Sequence, residues 1–231
     1  MNSTKRTARV AGLLYLVMAI SGFFSTMYIP STFIVHGDAT ATANKIIASE
    51  WLFRIGIVSE LFSATIFVFL ALVLYELLQG VSKKQASLMV TLVVIAVAVA
   101  FLNELNELAA LVLSRGADFL SVFEKQQRDA LAMLFLTLHN YGFFIGMIFW
   151  GLWLFPFGVL VFRSGFLPRF LGVWLILGCF GYLASSFTSL LLPRYGPMVS
   201  EIAMVPEAGE LAMILWLLIR GAKDQPLQAA V

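Results

Sequence analysis

Six apolar stretches, each about twenty residues or longer, leave this chain few ways to fold. A bilayer hydrocarbon core of about 30 Å is crossed by roughly 20 apolar residues in helical form. In lipid every backbone N–H and C=O needs an internal partner, so unbroken apolar segments of this length span as helices. The stretches fall at about 8–28, 52–78, 86–113, 130–162, 170–191 and 200–219. The expected fold is all-α, a polytopic membrane helix bundle of about six transmembrane helices, with residues 1–231 forming one integral membrane domain whose first partner is the lipid bilayer. Composition removes the soluble alternative: 61% of the 231 residues are hydrophobic and 12% charged, against roughly 45–50% and about 25% in an ordinary soluble domain.

The connections carry their own signals. The apolar run from Val10 to about Ile29 is too long for the core of a signal peptide, so it reads as a retained first span, ending at Pro30. Gly37-Asp38 marks a turn in a polar loop over Ser31 to Ala43. From about Thr40 helical spacing returns, offering Ile46, Ile47 and Trp51 to one face of a short interfacial helix. Ser121 and Glu124 fit a capping box that starts the next helix. Its pattern continues to Phe162, about 60 Å at 1.5 Å per residue and twice the core thickness. Gly142, Gly146 and Pro156 are the places where it would bend, and Gly142 with Gly146 also makes a G-x-x-x-G that allows close helix approach. Pro206 removes a backbone donor from the sixth span. The tail from Gly221 is polar, short and expected to be disordered.

Orientation follows from Lys and Arg in short loops. One side carries Lys5, Arg6, Arg9, Lys83, Lys84, Arg163, Arg169, Arg220 and Lys223; the other carries Lys45, Arg54, Arg115, Lys125, Arg128 and Arg194, mixed with more acids. The first side is expected to be cytoplasmic, with both termini there, in a bacterial inner membrane.

Several function classes drop out. A net charge of +2, evenly spread, excludes nucleic acid, whose binders concentrate basic residues on one face. The single cysteine, Cys179, sits in an apolar block and reads as inert packing. No Walker loop, Gly-x-Ser-x-Gly elbow or His-Glu-x-x-His occurs, so no motif requires a cofactor. His36 lies in the Gly-Asp loop and reads as solvated. Trp150, Trp153, Trp174 and Trp216 read as packing, and Trp51 and Tyr28 as an outer aromatic belt.

What remains are ionisable and amide groups inside the spans, each ionisable one costing about 2.5–3.5 kcal/mol on insertion scales. They are Arg54, Glu60, Asn103, Glu104, Asn106, Glu107, His139, Asn140, Glu207 and Glu210. Counted from the ends of their spans, these acids and His139 belong to the outer half of the membrane. Glu104 and Glu107 are three residues apart, as are Glu207 and Glu210, so each pair shares a helix face. Arg54 and Glu60 are separated by about 600° of winding and face different ways; Arg54 is expected to form a structural ion pair with a carboxylate on another helix or to reach the outer interface.

Three readings fit these residues. They could be interhelical hydrogen-bonding groups, some carboxyls protonated because burial disfavours the charged form. They could line a polar site that binds or transports a small solute, proton or cation. Or Glu104, Glu107, His139, Glu207 and Glu210 could ligate a metal in a membrane-embedded enzyme, although neither Glu pair has the Glu-x-x-His form of carboxylate-rich helical metal sites. The ligand-binding reading leads, with a metal-dependent enzyme and a structural or accessory subunit as alternatives.

The segments TARVAGLLYLVMAISGFF, FLNELNELAALVL, LHNYG and FWGLWLFPFGVLVFRSGFLPRFLGVWLI resemble the DUF4386 family across nearly the whole chain, GLWLFPFG…RSGFLPR being the most specific part. The resemblance implies a bacterial multi-spanning membrane protein of unknown function and brings no catalytic or binding residues with it.

Overall fold

The structure, a computed structural model, describes residues 3–223, and the regular elements among them are all helical. Its helices are α1 Ser3–Phe23, α2 Ile29–Phe33, α3 Ala39–Ala48, α4 Glu50–Leu78, α5 Lys83–Arg115, α6 Lys125–Ser164, α7 Arg169–Leu191, α8 Gly196–Glu207 and α9 Gly209–Ile219. Six segments are long and apolar enough to cross a membrane: Thr4–Phe33, Glu50–Leu78, Lys83–Arg115, Lys125–Ser164, Arg169–Leu191 and Pro193–Ile219. Each covers an expected span. Large apolar side chains such as Leu13, Ile20, Phe69, Leu102, Leu177 and Leu215 are exposed along them, a surface suited to lipid tails and far more apolar than a soluble monomer presents.

The boundaries move where local chemistry differs from the simple reading. Pro30 does not end the first span. A π-helical stretch, Phe24–Tyr28, precedes it, and the chain continues as α2 with the proline in its first turn, where the missing N–H costs no helix bond. The loop shrinks to Ile34–Asp38: Gly37 has φ +80°, and Asp38 caps α3 by accepting from the Ala41 N–H at 2.8 Å. Ile46 faces inward while Ile47 and Trp51 stay exposed, so the three do not share one buried face. Helix α6 starts at Lys125 rather than at Ser121, which instead closes a 3-10 turn over Asp118–Leu120. The box at its start is made by Gln127, whose Oε1 accepts from the Glu124 N–H at 2.9 Å. From there α6 runs unbroken for 40 residues, through Pro156. Helix α8 begins at Gly196 with Pro197 in its first turn, earlier than expected. Gly221 and Ala222 are irregular but buried, and the Lys223 N–H donates to Phe166 O at 3.1 Å. The rest of the expected tail lies outside the described residues.

These residues group into two compact units. Unit 1 comprises Met1–Val17, Ile66–Val97 and Phe144–Val231; unit 2 comprises Met18–Thr65 and Ala98–Phe143.

Unit 2 packs Ile29, Phe33, Ile46, Phe53, Ile57, Leu111 and Leu136 into its core, with the Phe33 and Phe53 rings edge to face at 5.3 Å. Lys125 ties α3 to α6 by donating to Asn44 Oδ1 and Asp129 Oδ2 at 3.1 and 2.7 Å. Unit 1 is built around Trp153, 1% exposed, stacked on Phe157 at 5.2 Å and edge-on to Phe67 and Tyr15 at 4.9 and 5.9 Å. Within it α6 and α7 approach backbone to backbone, since a Cβ on Gly158 or Gly172 would come within 2.6 Å of the other's carbonyl oxygen. Small residues let helices close in this way when lipid, as apolar as the side chains, supplies no hydrophobic drive between them.

Candidate functional site

The triplet repeat Asn-Glu-Leu in α5 sorts its side chains by face. Leu102, Leu105 and Leu108 are exposed, whereas Glu104 and Glu107 are 3% and 6% exposed. A three-residue step nearly completes a helical turn, so like residues stay on like faces. Both carboxylates of α5 therefore turn inward, toward α6.

There they meet His139. Its Nε2 lies 3.1 Å from Glu104 Oε1 and its Nδ1 lies 3.7 Å from Glu107 Oε1. The first separation is a hydrogen bond; the second is longer than one and is an electrostatic contact.

The amides brace this arrangement. Asn103 Nδ2 donates to the His139 backbone carbonyl at 2.9 Å, and Asn106 Nδ2 donates to Asn103 O and Oδ1 at 3.2 Å each. Gly142, one turn beyond His139, makes room: a Cβ there would run into the Asn103 side chain. Gly146, its partner in the G-x-x-x-G, faces nothing within 4 Å, so that motif works through one glycine. Glu60 on α4 accepts from the Ser25 hydroxyl, which sits in the π-helical stretch and has Ser21 O and Gly22 O as alternative acceptors for its one proton. Glu60 interacts electrostatically with Glu104, Glu107 and His139. Glu104 Oε2 is buried without a hydrogen-bond partner.

Two expected members stand apart from this group. Asn140 is exposed. Arg54 does not reach another helix: its Nε donates to Glu50 Oε1, one turn earlier on α4, at 2.7 Å, and Arg115 Nη1 lies 3.4 Å from the same oxygen. The Glu-x-x-x-Arg spacing of Glu50 and Arg54 carries that signal.

Glu207 and Glu210 belong to unit 1, where they have different neighbours. Glu210, in the first turn of α9, accepts from the Tyr15 hydroxyl at one oxygen and from Tyr182 at the other, the latter at 2.8 Å. Glu207 lies at the end of α8, beside the interruption at Ala208. Pro206 and Gly209 flank that break, and Trp174 Nε1 donates to Val205 O at 3.1 Å. Tyr15, Tyr182 and Ser25 carry no spacing signal in the sequence; in apolar helices they look like any packed or interfacial residue. Among the described residues no group of three or more His, Cys, Asp or Glu is gathered tightly enough to hold a metal ion. Cys179 is buried and His36 exposed.

Residues 10–221 match the family described as a domain of unknown function, DUF4386. An uncharacterized protein of Archaeoglobus fulgidus is 35% identical over 79 residues, which are 34% of this chain and 46% of that protein; the chain spans about half the length of this relative. No solved structure matches.

Proposed function

The chain belongs to the DUF4386 family, and we propose that this member is a non-enzymatic multi-pass membrane protein, a transporter or sensor component, that takes up a small cation at the α5–α6 cluster, the proton above all. One observation carries the reading: a single imidazole stands between two buried carboxylates on one face of a neighbouring helix. Protons can be added to or removed from such a group without moving the backbone, which is what a binding step inside lipid needs. Ser25 and Glu60 extend the set toward α1, and Asn103, itself bonded by Asn106 within α5, ties α5 to α6. In this reading the cluster lies in the outer half of the membrane, with both termini cytoplasmic, as the distribution of Lys and Arg supports.

The test uses purified protein in detergent. Infrared difference spectra between two pH values are expected to show a carboxyl band that Glu107→Gln removes, and any stabilisation against heat by pH or an added solute is expected to vanish in the same variant. A variant that keeps both the band and the stabilisation would leave the cluster as interhelical hydrogen bonding alone.

A further inference from the structure

Unit 1 gathers cations around one turn of its backbone. Gly221, with φ +67°, turns the chain just past α9 and packs on α1: a Cβ there would come 3.1 Å from Lys5 Cγ and 3.8 Å from Arg9 Cγ. Lys5 and Arg9 are four residues apart and share a helix face, while Arg220 and Lys223 flank the glycine in the chain. The Lys223 N–H donates to Phe166 O at 3.1 Å, which brings in the α6–α7 connection, with Arg163 before that carbonyl and Arg169 after it. Among the described residues no carboxylate forms an ion pair with any of these cations; the pairs that exist belong to Arg54, Arg115, Lys125 and His139. Arg9 Nε is moreover buried with no hydrogen-bond partner, and it stands two bonds beyond the Cγ that meets the glycine. An unsatisfied N–H on a permanent cation is costly, and gathered like charges repel.

We propose that this turn of unit 1 binds the phosphodiester headgroup of an anionic phospholipid, with Lys5, Arg9, Arg220 and Lys223 as its basic groups and Arg163 and Arg169 adding to the positive field. Arginine suits the task because its planar fork matches two phosphate oxygens. The neighbouring surface selects a lipid over a soluble anion. Val10 follows Arg9, Phe162 precedes Arg163, Phe170 follows Arg169 and Ile219 precedes Arg220, and all four are exposed. A negative head carrying acyl tails meets both kinds of surface; inorganic phosphate meets only one. Basic pockets between spans hold anionic lipid headgroups in this way. Any basic helix end attracts such lipids, but the buried Arg9 donor gives this one a fixed point that surface charge alone lacks. The proposal uses no residue of the α5–α6 cluster and stands apart from that reading.

The experiment follows thermal unfolding of the full chain in uncharged detergent micelles doped with rising fractions of phosphatidylglycerol. Phosphatidylcholine and inorganic phosphate are run in parallel at the same ionic strength. Phosphatidylglycerol is expected to raise the unfolding temperature and the other two to leave it in place. Arg9→Gln should move the half-effect lipid fraction up about tenfold, as for loss of a hydrogen bond from a charged donor. Lys223→Gln should move it about fivefold, the share of one basic residue near an anionic surface. Lys84→Gln removes the same charge from the separate α4–α5 turn and should move it less than about twofold, since salt screens charges that do not touch the headgroup. If Arg9→Gln does not fold, Lys223→Gln set against Lys84→Gln decides. Phosphatidylcholine or phosphate acting as well as phosphatidylglycerol, or Lys84→Gln costing as much as the variants at the turn, overturns the site.

Discussion

Unit 2 surrounds its carboxylates with an imidazole and two amides, whereas unit 1 meets Glu210 with two phenol hydroxyls beside a stack of aromatic rings. A phenol hydroxyl satisfies a carboxylate while keeping its own proton, as its ordinary titration lies near pH 10. An imidazole carries two ring nitrogens, either of which can donate or accept. The same problem, acid in an apolar slab, is therefore met by hydroxyl donors in one unit and by a ring in the other.

This difference is sharpest in what each partner's loss should cost. Removing the imidazole leaves two buried carboxylates facing an empty space, and breaking a buried pair on one side costs about 3–5 kcal/mol. His139→Ala is expected at the lower end of that range, about 3 kcal/mol, because the side chain is 21% exposed. Equilibrium unfolding in mixed micelles measures it. Adding Glu107→Gln to His139→Ala should restore part of the loss, since one of the stranded charges is then gone. A double variant no more stable than His139→Ala would mean that the carboxylates do not depend on the ring.

The corresponding change in unit 1 is smaller. Tyr182→Phe removes one donor to Glu210 but leaves Tyr15 in place and preserves the ring's packing, so about 1–2 kcal/mol is expected by the same unfolding measurement. A loss matching that of His139→Ala would collapse the distinction between the two kinds of site.

The sequence already marks much of this architecture. Span length and apolar content locate all six membrane segments, because the bilayer imposes both. The i, i+3 pairs Glu104/Glu107 and Glu207/Glu210 are legible for the same reason: a polar residue in lipid is conspicuous, and helical geometry says which ones share a face. Partners are another matter. Glu210 meets Tyr15, which is 195 residues away in the chain, and no local spacing encodes that. Nor does composition separate Tyr15 from the other tyrosines of the spans. Pro30 misleads in the opposite direction, since a proline that ends a soluble helix is absorbed here by a π-helical stretch in the preceding turn, where lipid leaves the backbone no better option than to keep its internal bonds.

Adjacent residues give the finest version of the comparison. His139 and Asn140 are neighbours in a single apolar helix, and by residue type both qualify for a polar site, yet one step along an α-helix is about 100° of rotation. His139 faces α5 and Asn140 is exposed. Asn103, on the opposing helix, lies against Gly142 and donates to the His139 carbonyl. Asn103→Ala is therefore expected to cost about 1 kcal/mol, the net worth of one hydrogen bond, and Asn140→Ala less than about 0.5 kcal/mol, as for a substitution away from any buried contact. Paired unfolding curves of the two variants decide the matter. If Asn140→Ala proved the more damaging, the face that α6 presents to α5 would be wrong by one residue, and the imidazole would no longer stand between the two carboxylates.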